Sequence, residues 1–173
     1  YQDADAARQE ELALYAQQPP GQIDIPRLDA LRHRGQIALV TGRVDDAESI
    51  SISGLELADR HLEATPGDLA ATQQYVYLST FRAAISLAQG EPVRAKLMID
   101  EASRVLANAE GDRISNWREM AILALSSGEI ARAFGDAGTV RQEAENALYL
   151  ITEREGDHAE TAALIASAYE LLG

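Results

Sequence analysis

Few side chains in this sequence could do chemistry, and they are scattered. There are three histidines, His33, His61 and His158, no cysteine, and several adjacent carboxylates such as Glu10 with Glu11 and Asp45 with Asp46. Glu155 and His158 have the E-x-x-H spacing that places a carboxylate and an imidazole on one helix face for a metal. A di-iron bundle needs that pair twice with further glutamates, and Gly156 sets this one in a turn, so His158 reads as a solvated residue at a helix start. Without cysteine there is no thiolate nucleophile, disulfide or Cys-based metal site. No H-E-x-x-H, phosphate-binding glycine loop, Rossmann fingerprint or nucleophile elbow occurs. The carboxylate pairs read as surface or helix-start charge rather than a general acid and base. No metal, cofactor or catalysis is expected; an enzyme would need a deep pocket holding at least two titratable groups with displaced pKa values.

Composition points the same way. The 28 acidic residues outnumber 15 basic ones for a net charge of −13, a field that repels nucleic acid and anionic lipid. Only Lys96 among the basic residues is lysine, so no basic patch is built. No apolar run reaches the length of a membrane span. The chain opens at Tyr1 without an initiator Met, as a processed protein or excised domain would. The cytoplasm is the expected compartment, or the periplasm had a leader been removed. Hydrophobic residues make up 46% of 173 residues but aromatics only 5%, and 31 are alanine, which favours closely packed helices. The expected class is all-α.

The elements follow from repeated punctuation. "IALVTG", "ISLAQG", "LALSSG" and "SAYELLG" end at Gly42, Gly90, Gly128 and Gly173, and Ala47, Ala95 and Ala133 follow five residues after the first three. This reads as helix, glycine turn, helix, repeated. The first helices are predicted over 26–41, 68–89, 113–127 and 158–172, their partners over 44–64, 91–109 and 129–154. "ATPGDL", "AEGDR" and "REGDH" each join a helix stop to an N-cap. An amphipathic helix candidate and a "PPG" breaker within 1–25 precede the repeats as a capping element. "SISIS" at 49–53 alternates like a strand, but Ala47, Ile50, Gly54, Leu55, Ala58 and Leu62 keep helical spacing through it. In "FGDAGT", Gly135 and Gly138 either admit a neighbouring helix or break this one.

Residues 26–173 then resemble the tetratricopeptide repeat family, helical hairpins stacked as a right-handed superhelix. Gly35, Ala83, Ala121 and Ala166 lie seven residues before the four glycines, at the family's small position in the first helix. Ala47, Ala95 and Ala133, then Gly54, Ala102 and Val140, match small positions in the second, and Trp117 the family's Trp. Arg34 and Arg82 depart from its large aliphatic position, and Ser79 replaces its Trp in the second hairpin. The resemblance implies about three and a half hairpins, seven or eight helices in all. It implies an unfinished last hairpin too, whose Tyr169 and Leu172 face needs a cap, a further segment or a second copy.

It also implies a concave face. The family's groove positions fall on Arg32 and Gln36 in the first hairpin, Tyr77 and Thr80 in the second, and Ser115, Arg118 and Ile122 in the third. Asp29, Leu39, Ala84, Leu87 and Leu125 lie on the same faces, with Glu160, Ala163, Ser167 and Glu170 in the last helix. Arg32 and Arg118 suit carboxylates and Tyr77 supplies apolar area, so the expected partner is a peptide or protein segment. The expected function is a non-catalytic scaffold or adaptor. The alternative is a sensing domain, since degenerate repeats of this kind look like those in ligand-sensing domains of some bacterial transcription activators.

Overall fold

A computed structural model describes residues 2–17, 24–109, 116–152 and 159–173, and among these the chain is all-α, with eight helices and no strand. They are α1 (Gln2–Tyr15), α2 (Asp24–Val40), α3 (Val44–Ala64), α4 (Leu69–Ala88), α5 (Pro92–Ala107), α6 (Trp117–Phe134), α7 (Ala137–Thr152) and α8 (Ala159–Leu172). The "PPG" breaker, His158 and most of the "AEGDR" and "REGDH" stretches lie outside the described residues.

Three hairpins turn on glycines in the left-handed region: Gly42 and Gly90 at φ +77° and Gly135 at +76°. Only glycine adopts that φ without a Cβ penalty, and it lets the next amides reach back to the last carbonyls. Arg43 N donates to Ala38 O at 2.8 Å, Glu91 N to Ser86 O at 2.8 Å, and Asp136 N to Ala131 O at 2.9 Å. Asp68 caps α4 by accepting from Ala71 N at 2.9 Å, and Asp136 accepts from Thr139 N at 3.0 Å at the start of α7. "SISIS" is helical, inside α3. Ser51 donates to Glu48 O at 2.7 Å and Ser53 to Ser49 O at 3.1 Å, so these two hydroxyls are satisfied within the helix itself.

The third turn corrects the expected register. Gly128 does not end a helix: it is buried in the middle of α6, which runs on through Phe134 to Gly135. The helices expected over 113–127 and 129–154 are therefore α6 and α7, hinged seven residues later. Counted from Gly42, Gly90 and Gly135, the residue seven before is Gly35, Ala83 and Gly128, and the residue twelve after is Gly54, Ala102 and Ala147, all buried. Ala121 and Val140 thus leave the positions assigned to them, and so does Trp117, which is half-buried at the start of α6.

Small residues are used sterically. A Cβ on Gly35 would stand 2.9 Å from Phe81 of α4, on Gly54 2.9 Å from Leu78 of α4, and on Gly128 2.9 Å from Leu171 of α8. At each, the tip of a neighbouring side chain fills the space that a Cβ would need, so it would have to shift. The core is continuous from Leu28 through Leu57, Val76, Leu78 and Ile99 to Leu123, with a second cluster of Ala124, Ala144, Ala147, Ala168 and Leu171.

Contacts are local. Each helix packs on its sequence neighbours, and α2, α4, α6 and α8 also pack in succession; beyond these, Arg94 of α5 reaches across to Glu48 of α3 at 2.7 Å. α1 packs only on α2, and its Asp5 pairs with Arg43 at 2.7 Å and Arg34 at 3.4 Å. At the other end Ala166, which corresponds to buried Gly35, Ala83 and Gly128, is exposed, as are Tyr169 and Leu172. No described helix is long and apolar enough to cross a membrane.

Candidate functional site

The faces that α2, α4, α6 and α8 share form two adjoining concavities, of about 510 and 410 Å³. They meet at Arg32, Tyr77, Ile122 and Leu164, which line both. Of the described residues predicted for the binding surface, Arg32, Tyr77 and Ile122 line the junction, Arg118 the first concavity, and Gln36 and Thr80 the second, whereas Asp29, Leu39, Ala84 and Leu87, expected on the same faces, line neither. Ser115 lies outside the described residues. Leu125, Ala163 and Ser167 also line the groove, whereas Glu170 lines a separate depression with Arg132 and Arg141. The seven-residue slip in the third hairpin did not spoil the assignment because seven residues are almost two full turns, so Arg118 and Ile122 keep their face.

The two concavities differ in character. The second is mainly apolar, built from Phe81, Ile122, Leu125, Leu164 and Leu171. The first is polar and sits at the start of α6, where Trp117, Arg118 and Glu119 form the first turn. Its two guanidiniums are ordered by aromatic rings: Arg32 lies 5.1 Å from the centroid of Tyr77 and Arg118 5.7 Å from that of Trp117. Arg32 Nη2 also donates to Asp29 Oδ1 at 2.7 Å. Partial burial would by itself raise the Asp29 carboxyl, but hydrogen bonding and charge from Arg32, with His33 adding, hold it below its ordinary value. Buried Arg32 Nε has no hydrogen-bond partner.

Glu119 was not foreseen as part of this site. It is 3% exposed, and its Oε2 has no hydrogen-bond partner. Burial pushes its carboxyl above the ordinary range, with hydrogen bonding to Tyr77 and the Arg118 charge acting the other way. Burial raises the Tyr77 hydroxyl too, and the nearby Glu119 charge adds to that. Burial therefore disfavours the charged form of both groups. The charged side chains on the lining are Arg32, Arg118 and Glu119, with Glu129 in the second concavity.

Glu119 also predicts a pH effect. The unfolded chain loses this proton near 4.5 and the folded chain only at higher pH. Its contribution to stability is therefore present below 4.5, falls as pH rises through the folded value, and stays lost above it. Glu119→Gln is expected to unfold at a higher temperature than the native protein at pH 7. The gap between the two should close toward pH 4.5. Thermal unfolding of both from pH 4 to 8 checks this, and parallel curves would refute it. Asp68, held low mainly by its cap bond from Ala71 and by His61, works in the opposite sense, its contribution fading only below its ordinary 3.8.

No protein-family model matches the chain, and no curated protein or solved structure was found to match it.

Proposed function

We propose that this chain is a non-catalytic interaction module. In this reading its hairpins stack as a right-handed superhelix of the tetratricopeptide-like kind, and the concave face holds an extended peptide or protein segment. The local contact pattern supports the stacking, because each hairpin buries its apolar face against its neighbours, as helical repeats do. The observation that carries the binding reading is the convergence of Arg32, Gln36, Tyr77, Thr80, Arg118 and Ile122, drawn from three hairpins, on one continuous groove. The segment it suits has an acidic residue for the polar end, near Arg32, Arg118 and Glu119, and aliphatic residues for the end lined by Phe81, Leu125 and Leu171.

Segments selected from a random peptide library against the whole chain provide the test. Arg32→Ala with Arg118→Ala is expected to leave the far-UV helical signal intact and weaken binding by about 1–3 kcal/mol. Peptides that bind the double variant as tightly as the native chain would remove the groove from consideration.

A further inference from the structure

A second cavity of about 510 Å³ lies between α5, α6 and α7 and shares no lining residue with the groove. Its origin is visible on counting from the turn glycines. At the junction of the first two hairpins, the position thirteen after Gly42 is Leu55, and the positions fifteen and eight before Gly90 are Tyr75 and Arg82. At the next junction the corresponding residues are Ser103, Met120 and Ser127. At these three positions larger side chains in the first junction are replaced by smaller ones in the second, and the volume there is walled by Leu106, Met120 and Leu123, with Ser103, Ser127, Glu143 and Asn146 as polar lining.

One further exchange gives the cavity a polar point. The residue nineteen before Gly90 is Ala71, fully buried, and its counterpart nineteen before Gly135 is Asn116. Asn116 is 6% exposed and occupies the N-cap of α6, yet its side chain makes no cap bond, and its buried Oδ1 has no hydrogen-bond partner. Leaving a buried amide oxygen unsatisfied is costly, and alanine at this site would avoid the cost. The cavity is far larger than one water needs.

We propose that this cavity is a binding site for a small, partly apolar molecule carrying an N–H or O–H donor, which Asn116 Oδ1 accepts. The acceptor is fixed on the first turn of α6 and the apolar walls come from α5 and α6, so the ligand bridges the second and third hairpins. The site does not depend on the groove or on what the groove binds.

N-phenyl-1-naphthylamine, an apolar fluorophore with a single N–H, is a suitable probe for the whole chain. Its emission is expected to rise and shift to shorter wavelength, saturating at one equivalent. Shifts of the methyl signals should be confined to Leu106, Met120, Leu123 and their neighbours. Ser127→Leu, which fills the cavity, is expected to abolish binding. Asn116→Leu keeps an apolar wall and removes only the acceptor, and it should weaken binding about tenfold while the unfolding temperature holds or rises. Emission that does not saturate, or methyl shifts elsewhere in the unmodified protein, would overturn the site. So would undiminished binding to a folded Ser127→Leu chain, and undiminished binding to Asn116→Leu would overturn the role of its Oδ1. The methyl map needs no variant, so it decides the matter even where a substitution prevents folding.

Discussion

Alanine in place of Leu78 is expected to lower the unfolding free energy by about 2–5 kcal/mol. Leu78 is 0% exposed at the centre of the largest apolar cluster. Its two methyls stand 2.9 and 3.0 Å from where a Cβ on Gly54 would be. Leu78 occupies the space that a side chain at residue 54 would take. Gly54→Ala should therefore be destabilising too, despite the better helix propensity of alanine, since a fully buried leucine has nowhere to move. Together the two changes should cost less than their sum by at least about 0.5 kcal/mol, because the added methyl occupies space the leucine has left. Urea unfolding of the two single variants and the double variant gives the coupling. Strict additivity would mean that the two helices do not meet at this point.

Leucine at Gly128 is the second large change, with an expected loss of about 3 kcal/mol, the upper end of overpacking costs. The new side chain would occupy the place of Leu171 and push α8 off α6. Hydrogen exchange across α8 should accelerate more than across α4 and α5. Gly135→Ala should cost only about 1–2 kcal/mol, the penalty for a Cβ at left-handed φ, because no neighbour stands within 4 Å of that position. A chain that accepted leucine at 128 and failed with alanine at 135 would put the turn back where the amino-acid pattern suggested.

That pair of glycines shows what could be read from sequence. Both follow alanine- and leucine-rich runs, and they sit two helical turns apart on one face, so a glycine that admits a neighbour and a glycine that reverses the chain look alike. Only the backbone φ separates them. The signal that could have decided was the Asp136 start of α7, where a side chain able to cap follows Gly135 directly. Elsewhere the punctuation was sufficient: Gly42, Gly90 and the Gly67–Asp68 join stand where they were predicted, and α3 runs unbroken through the alternating serines.

The groove was largely legible for a geometric reason. Its members lie on one face of successive helices, and a face survives an error of two whole turns. Glu119 and Asn116 were not legible. A carboxylate in the first turn of a helix ordinarily means solvated charge beside the macrodipole, and an asparagine before it an ordinary cap. Only the packing of α6 against α4 and α5 takes both out of water, and no local pattern reports that. Gln73 and Gln74, which line the polar concavity, were missed similarly, as unremarkable polar residues between the buried Thr72 and Tyr75.

The short reach of the helix contacts bears on how this chain acquires its structure. No segment waits for a partner from the far end, so the loop-closure entropy that slows sheet proteins is small here, and assembly can begin at any adjacent pair and grow outward. Amide protection should decline from α4 and α5 toward both ends, with the native state fraying from its margins before the middle gives way.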